Sequence, residues 1–160
     1  MTQTWFITGA SSGLGAAIAR HAVDRGDNVV VTARREKRLQ QISALAPERV
    51  LVRQMDVTDP AQVADAIKAA EDRFAGIDML VNNAGYGIVG AVEETPEAEL
   101  RAMMETNFFG AVAVTQAALP TMRKRRKGAI VMVSSLGGQL SFGGFGPYSA
   151  SKFAMEGLTE

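Results

Sequence analysis

The sequence contains no cysteine and only one histidine among its 160 residues. The absence of cysteine excludes disulfide bonds, thiolate metal ligands and a cysteine nucleophile. Because His21 is the only imidazole, a histidine-based metal cluster is excluded as well, and we predict no metal site.

The chain also lacks a long apolar run and an excess of charge of either sign. No apolar run approaches the ~20 residues that a membrane-spanning helix needs, and the first residues show no signal-peptide pattern. Lysine plus arginine (17) equals aspartate plus glutamate (17), so no net positive charge would attract nucleic acid or an anionic membrane. The basic run 123–127 is interpreted as the solvated end of a helix, where cations complement the dipole. We expect a cytoplasmic protein that binds neither nucleic acid nor membranes.

Short apolar runs alternate with longer amphipathic stretches along the whole chain. The apolar runs predict five strands, at 5–8, 29–32, 50–52, 79–81 and 129–133. The amphipathic stretches predict helices after the glycines at 9–15, over 36–46, from 60 to 75, from 97 onward and over 148–160. In the first helix, Leu14, Ile18 and Ala22 have the spacing of an inward face.

Strands that alternate with helices imply parallel strands joined by right-handed crossovers. We therefore predict an α/β fold with a doubly wound, Rossmann-type parallel sheet, and one domain over residues 1–160. A sheet of this kind usually continues beyond its fifth strand. We expect the natural protein to continue past Glu160 with further C-terminal strands.

A glycine-rich turn, Thr8 to Gly15, lies between the first predicted strand and the first predicted helix. Free N–H groups and the positive dipole end of the helix suit phosphate there, and glycines let the backbone approach a pyrophosphate. The residues of this turn that we predict to bind a dinucleotide are Gly9, Ser11, Ser12, Gly13, Leu14 and Gly15.

The same turn also matches the G-x-S-x-G nucleophile elbow of serine hydrolases, with Ser11 as the nucleophile. Such a serine needs a histidine base. The only candidate, His21, lies within the very next helix and is expected on its surface, away from the turn. The hydrolase is therefore the less favoured alternative.

The end of the second predicted strand reads Ala33-Arg34-Arg35. An enzyme that prefers NAD usually carries an acidic residue at this point, where Ala33 stands. The guanidinium of Arg34 can instead bind a 2′-phosphate through two hydrogen bonds. The sequence thus favours NADP(H), and the alternative is that both arginines are merely solvated at the start of a helix.

Tyr148 and Lys152 lie one helical turn apart on the same face of the last predicted helix. A phenol in water has a pKa of about 10, and a neighbouring ammonium favours the phenolate, which makes the phenol a workable acid and base. Ser135 follows the fifth predicted strand, at the sheet edge where ligands bind, and its hydroxyl can hold a substrate oxygen. Asn107 lies in the apolar stripe of a helix, so its amide either makes structural hydrogen bonds or belongs to a proton relay.

Taken in order, these motifs resemble the single-domain branch of the short-chain dehydrogenase/reductase family. The resemblance rests on T-G-x-x-x-G-x-G at 8–15, D-V at 56–57, N-N-A-G at 82–85, Asn107, Ser135 and Y-x-x-x-K at 148–152. It implies cofactor contacts from Asp56, Val57, Asn83, Ala84, Gly85, Tyr148 and Lys152, in addition to the glycine-rich turn and Arg34. It also implies a complete length of roughly 250 residues.

The resemblance further implies an NADP(H)-dependent oxidoreductase that interconverts an alcohol and a ketone or aldehyde. In that scheme Tyr148 exchanges the proton, Lys152 binds the nicotinamide ribose and tunes the phenol, Ser135 orients the carbonyl, and Asn107 holds a water. Segments 83–87 and 146–148 resemble the 17β-hydroxysteroid and retinol dehydrogenase-like members, which suggests a lipophilic small-molecule substrate. Family members are often homodimers or homotetramers. A non-catalytic dinucleotide sensor is the alternative, and the joint presence of the serine, tyrosine and lysine argues against it.

Overall fold

The computed structural model describes residues 2–160, which form one parallel sheet covered by helices on both faces. The strands are β1 (Thr4–Ile7), β2 (Asn28–Ala33), β3 (Val50–Gln54), β4 (Met79–Asn82) and β5 (Ala129–Met132). They are arranged in the order β3-β2-β1-β4-β5, and all neighbouring pairs are parallel. The order reverses beside β1, which opens a crevice at the carboxyl ends of the strands. The predicted doubly wound α/β fold is confirmed.

Within residues 2–160, six α-helices connect and follow the strands. They are α1 (Gly13–Asp24), α2 (Gln40–Ser43), α3 (Pro60–Phe74), α4 (Glu97–Met104), α5 (Gly110–Arg125) and α6 (Gly146–Thr159). A π-helical turn, Glu105–Phe109, joins α4 to α5, and 3-10 turns cover Glu36–Arg38, Val92–Glu94 and Leu136–Gly138. Where the sequence predicted one long helix from residue 97, the structure therefore has an α-helix, a π turn and a second α-helix.

Two separate cores hold the helices against the sheet. Successive strand residues point to opposite faces, so Ile7 packs under α1 while its neighbour Phe6 packs under α3 and α5. Val29 and Val31 belong to the first core, and Val30 between them belongs to the second. The β-branched runs that predicted β2 are therefore buried on both faces, as expected for a covered parallel strand.

The predicted inward face of α1 is wrong at Leu14. Its side chain is 56% exposed, and the helix is buried through small residues, among them Ala19 and Ala22. Because Leu14 lies in the first turn of α1, it borders the open crevice rather than the core. The predicted stop at Gly26 is confirmed, since this residue has a left-handed φ of 85° just after the helix.

The predicted helix over 36–46 is also wrong. A 3-10 turn is followed by the four-residue α2, and neither has a side-chain cap at its N-terminus. Leu39, Ile42 and Ala46 are buried at helical spacing and Leu45 is 53% exposed, so a buried apolar face is present although the helix is short. Short, uncapped helices depend on such packing.

The predicted start of α3 is confirmed. The Asp59 carboxylate accepts hydrogen bonds from the backbone N–H groups of Ala61 and Gln62, and Pro60 occupies the first helical position. The predicted stop at Gly76 is confirmed as well, since the helix ends at Phe74 and its cap, Ala75, has a left-handed φ of 59°.

The basic run at 123–127 is not entirely solvated, which corrects its interpretation. Arg125 Nη2 lies 2.7 Å from Asp78 Oδ1, and Arg125 Nη1 donates to the Ile77 carbonyl at 2.9 Å. Lys127 Nζ lies 3.1 Å from the same Asp78 oxygen. Two of the five cations therefore hold the end of α5 to the start of β4.

Within residues 2–160, no helix has the length and apolar character needed to cross a membrane. The same residues contain no group of three or more histidine, cysteine, aspartate or glutamate side chains placed to hold a metal ion.

Candidate active site

A cleft of about 470 Å³ opens at the carboxyl ends of the strands, between the two halves of the sheet. Its volume falls within the range of small-molecule sites in proteins. It brings together most of the cofactor-binding residues predicted from the sequence: Gly9, Ser11, Ser12, Gly13, Leu14, Arg34, Asp56, Val57, Asn83, Ala84 and Gly85. Residues not predicted from the sequence complete its lining: Ala33, Arg35, Arg38, Met55, Tyr86 and Thr106.

Three positions in the turn require glycine, either because neighbouring atoms leave no room for a side chain or because the backbone is left-handed. A Cβ on Gly9 would lie 2.8 Å from Ala84 Cα, and the residue has a left-handed φ of 66°. A Cβ on Gly15 would collide with Asn83 Nδ2 and lie 2.7 Å from the Gly9 carbonyl oxygen. Gly13 has a φ of 56° but no atom within 4 Å of the Cβ position, so the space above it is open to a ligand. This cradle fits a pyrophosphate at the N-terminus of α1.

Thr8, buried beneath the cradle, ties the glycine turn to the loop after β4. Its Oγ1 accepts hydrogen bonds from the backbone N–H groups of Asn83 and Ala84, both at 2.9 Å. Asn83 Nδ2 in turn donates to the carbonyl oxygens of Thr8 and Gly9, at 2.9 and 3.2 Å. Thr8 was not among the predicted site residues, although it is the first residue of the T-G-x-x-x-G-x-G motif.

Three arginines, Arg34, Arg35 and Arg38, line the far end of the cleft beyond β2. All three are exposed, and none forms an ion pair with another described residue. Ala33, only 7% exposed, ends the strand without a carboxylate. The nearby Asp56 uses its Oδ1 to accept from Thr58 N and Oγ1, at 3.0 and 2.8 Å. This end of the cleft therefore has a surplus of cationic groups that suits a phosphate.

Tyr148 and Lys152 lie in the first two turns of α6. Lys152 is 5% exposed, its Nζ donates to the Val133 carbonyl at 2.8 Å, and the same atom lies 5.9 Å from the centroid of the Tyr148 ring. Burial lowers the pKa of Lys152, and the charge of Glu156 opposes that shift. Tyr148 is half-buried, and within residues 2–160 its hydroxyl makes no hydrogen bond. The phenol is thus free to bind a substrate oxygen beside a buried cation.

Asn107 is fully buried in the π turn, where it holds two other segments. Its Oδ1 accepts from Tyr86 N at 3.0 Å, while its Nδ2 donates to Tyr86 O at 2.8 Å and to Ser151 Oγ at 3.0 Å. Both amide hydrogens are therefore used. Of the two roles left open by the sequence, the side chain clearly has the structural one, and a lone pair on Oδ1 is left for any relay.

Ser135 begins the 3-10 turn after β5, and its Oγ accepts from Gly137 N at 3.1 Å. Its own hydroxyl hydrogen remains available to donate. The N-N-A-G loop at 82–85 lies between the cleft and the side chains of Asn107 and Lys152. A Cβ on Gly85 would lie 3.0 Å from Asn107 Oδ1 and 3.8 Å from Lys152 Nζ. The structure thus brings the dinucleotide cleft against the tyrosine–lysine pair.

The serine hydrolase alternative finds no support in this geometry. Ser11 lies just before α1, whereas His21 is exposed in the last turn of that helix. The eight helical steps from Gly13 to His21 correspond to about 12 Å along the axis. An imidazole at that distance cannot take a proton from the hydroxyl of Ser11.

Comparisons with known proteins show the family to which the chain belongs. The short chain dehydrogenase family matches residues 3–160. A 3-ketodihydrosphingosine reductase from Bacteroides thetaiotaomicron is 42% identical over 158 residues, which cover 99% of this chain and 56% of that protein. A short-chain dehydrogenase structure from Streptomyces avermitilis has a TM-score of 0.95 and 47% identity over 99% of this chain and 58% of its own. An alcohol dehydrogenase from Thermococcus sibiricus, complexed with 5-hydroxy-NADP, has a TM-score of 0.93 and 31% identity over 99% of this chain and 68% of its own.

The chain belongs to the short-chain dehydrogenase family, a family of oxidoreductases. It spans little more than half the length of the Bacteroides and Streptomyces proteins.

Proposed function

We propose that the protein is an NADP(H)-dependent oxidoreductase that interconverts an alcohol and a ketone or aldehyde, with Tyr148 as the acid and base. One observation supports this proposal above the others. The Tyr148 hydroxyl is without a protein partner within residues 2–160, and the buried Lys152 ammonium lies 5.9 Å from its ring. Residues 1–160 are then the dinucleotide-binding and catalytic part of a single domain, and a cytoplasmic location remains a prediction.

The residues of the cleft fit a dinucleotide cofactor. The turn 9–15 would hold the pyrophosphate, Asp56 and Val57 would contact the adenine, and the loop Asn83–Gly85, which also lines the cleft, would contact the nicotinamide half. Lys152, whose Nζ lies 3.8 Å from the position of a Cβ on Gly85, would bind the nicotinamide ribose. When bound, the nicotinamide supplies or accepts the hydride, and the chain's own residues provide orientation and the proton.

Proton exchange at the substrate oxygen falls to the tyrosine and its neighbours. In the reducing direction the Tyr148 hydroxyl donates its proton to the oxygen, and the Lys152 ammonium stabilises the phenolate left behind. Ser135 donates a second hydrogen bond to the same oxygen, since its Oγ already accepts from Gly137 and its hydrogen is free. Asn107 would contribute to the relay by holding a water at the second lone pair of Oδ1.

NADP(H) is preferred to NAD(H) because of the charge at the adenosine end. Arg34, Arg35 and Arg38 line the same wall of the cleft. Arg34 would bind the 2′-phosphate, and Ala33 offers no repelling carboxylate. The Thermococcus alcohol dehydrogenase, whose structure contains 5-hydroxy-NADP, supports this choice by similarity.

The substrate is proposed to be lipophilic. Large apolar side chains stay exposed on the two loops that lead to Tyr148: Val89, Val92, Leu136, Leu140, Phe142 and Phe145. The loops touch, since Gly90 N donates to Gly144 O at 2.9 Å. Together they offer an apolar approach to the phenol, which suits a carbonyl on a long hydrocarbon chain. The name of the Bacteroides relative, a 3-ketodihydrosphingosine reductase, points to the same class of substrate.

A homodimer or homotetramer is also proposed. Phe109 is 50% exposed, and it lies with Leu100 and Met104 in a shallow groove along α4 and the π turn. A second copy of the chain would cover this groove. Light scattering on the full-length protein tests the proposal, and a monomer at micromolar concentration would contradict it.

The enzymatic proposal is tested with the full-length protein and its Tyr148→Phe variant. NADPH consumption is measured with ketones of short and long alkyl chain, and NADPH binding is measured by fluorescence. We expect turnover to be highest with the long-chain ketones and to be lost in the variant, while NADPH binding is retained. Unchanged turnover in Tyr148→Phe would refute the mechanism, and binding without any turnover in the unmutated protein would identify a dinucleotide sensor.

A further inference from the structure

Gly87 and Gly137 are glycines that the backbone does not require. Neither has a φ in the left-handed region, unlike Gly9 and Gly13. Gly87 lies in the loop after β4, and Gly137 lies in the 3-10 turn that Ser135 begins. An alanine would fit both backbone conformations, so another feature of the structure must account for the missing side chain.

That feature is the ring of Tyr148, which lies against both glycines. A Cβ on Gly87 would lie 3.2 Å from Tyr148 Cδ2, and a Cβ on Gly137 would lie 3.2 Å from Tyr148 Cε1. These two carbons stand opposite each other across the ring. Carbon atoms prefer separations of about 3.5 to 4.0 Å, so a methyl group at either position would press on the ring, from one side or from the other.

The two segments that flank the Tyr148 ring, the loop with Gly87 and the turn with Gly137, are both held by hydrogen bonds. The Gly87 loop is fixed at its neighbour Tyr86, whose backbone N and O are both bonded to the buried amide of Asn107, at 3.0 and 2.8 Å. Gly137 is fixed through its own N–H, which donates to Ser135 Oγ at 3.1 Å. Since both segments are held in this way, a methyl group would displace the ring by a few tenths of an ångström rather than the loops.

We propose that Gly87 and Gly137 are positioning residues, which form a slot that fixes the lateral position of the Tyr148 ring and therefore of its hydroxyl. The inference rests on the proposed role of Tyr148 as acid and base. The ring is attached to α6 only through Cβ, so the slot walls determine where the hydroxyl meets the substrate oxygen. A misplacement of about 1 Å can cost on the order of a hundredfold in rate.

The kinetic test compares Gly87→Ala and Gly137→Ala with Gly157→Ala in the full-length protein. Gly157 is a control, since it lies in α6, has no left-handed φ and has no atom within 4 Å of its Cβ position. We expect kcat to fall about tenfold in each of the first two variants, because a shift of a few tenths of an ångström misaligns the hydroxyl. The KM for NADPH should stay unchanged, and Gly157→Ala should have the kcat of the unmutated protein. An equal loss of kcat in Gly157→Ala, or a normal kcat in both Gly87→Ala and Gly137→Ala, would contradict the proposed positioning role.

A second readout needs no activity. The thermal midpoint is measured for Gly137→Ala alone and in a Tyr148→Ala background, where the space of the ring is free. We expect Gly137→Ala to lower the thermal midpoint when Tyr148 is present and to leave it unchanged in the Tyr148→Ala background. An equal decrease in both backgrounds would contradict a contact between residue 137 and the Tyr148 ring. If the unmutated protein reduced no carbonyl compound, the proposed function would fail, and this comparison would still decide whether the slot exists.

Discussion

Asn107 and Ser151 are joined by a buried hydrogen bond of 3.0 Å, from the amide Nδ2 to the hydroxyl Oγ. The same hydroxyl donates to the Tyr148 carbonyl at 2.7 Å. Because Asn107 also holds the backbone of Tyr86, this pair connects the loop after β4, the π turn and α6. The proposed proton donor is therefore fixed at its backbone by one network and at its ring by two glycines.

Ser151→Ala should lower the free energy of unfolding. The substitution leaves one buried N–H of Asn107 without an acceptor, which costs about 1 to 3 kcal/mol. Urea denaturation of the full-length protein measures this loss. Because α6 loses its link to the π turn, kcat should fall as well, while the KM for NADPH changes little.

Ser149→Ala is the matched control for this prediction. Ser149 is also buried in α6, but its Oγ has no hydrogen-bond partner within residues 2–160. Removing an unpaired buried hydroxyl should be neutral or stabilising. If Ser149→Ala destabilised the protein as much as Ser151→Ala, the bond between Asn107 and Ser151 would not be the cause.

The strands and the glycine cradle were predictable from the sequence because each depends on local signals. β-Branched runs are buried wherever the sheet is covered on both faces, and a glycine cluster after β1 has few other uses. Leu14 was misplaced because helical periodicity identifies an apolar face without showing that the first turn borders an open cleft. The extent of the helix predicted over 36–46 was wrong because apolar spacing, with Leu39, Ile42 and Ala46 buried, does not show where the α-helical hydrogen bonds begin and end.

The partners of Asn107 were not predictable, since they depend on contacts between distant segments. Its amide was expected either to make structural hydrogen bonds or to belong to a proton relay, and its partners Tyr86 and Ser151 lie 21 and 44 residues away along the chain. The role of Arg125 was missed for the same reason, because Asp78 is 47 residues away. The ordered motifs identified the site, whereas the hydrogen bonds that hold it required the fold.

Asp78→Asn should destabilise the protein at neutral pH. The carboxylate is 5% exposed and is bound by Arg125, by Lys127 and by Thr4 N at 3.0 Å. Loss of charge-assisted bonds in a buried setting costs about 2 kcal/mol. Asp72→Asn is the control, because the Lys68–Asp72 pair is exposed, and exposed pairs contribute less than about 1 kcal/mol.

The contribution of Asp78 should also depend on pH. Burial acts to raise its pKa, but hydrogen bonds from Thr4, Arg125 and Lys127 outweigh it, so the pKa lies below its ordinary value of 3.8. A lowered pKa stabilises the fold above the ordinary value, and this contribution is lost as the pH falls through the lowered one. Urea titrations of the unmutated protein and Asp78→Asn should therefore converge on acidification. A gap in stability that stayed constant down to the acid transition would contradict the assignment.

Arg34→Ala should weaken NADPH binding far more than NADH binding. The guanidinium is exposed on the cleft wall without an ion-pair partner among the described residues, so its charge is available to the 2′-phosphate. Loss of a charge-assisted contact of about 1.5 to 3 kcal/mol corresponds to roughly a ten- to hundredfold weaker affinity. Fluorescence titration with both cofactors measures the ratio. Lys37→Ala is the control, since Lys37 is exposed nearby but does not line the cleft, and an equal loss for NADPH and NADH in Arg34→Ala would reject the phosphate contact.

Gly15→Ala and Gly157→Ala should have opposite effects, although both glycines lie in α-helices. A Cβ on Gly15 would collide with Asn83 Nδ2 and lie 2.7 Å from the Gly9 carbonyl oxygen, whereas no atom lies within 4 Å of the position on Gly157. Crowding at Gly15 should cost about 1 to 3 kcal/mol and weaken NADPH binding, because the displaced Asn83 supports the cradle. At Gly157, alanine should stabilise α6 by up to about 1 kcal/mol, through its better helix propensity. Urea denaturation and NADPH titration of both variants decide the matter, and a Gly15→Ala protein that bound NADPH normally would show that the first turn of α1 does not seat the pyrophosphate.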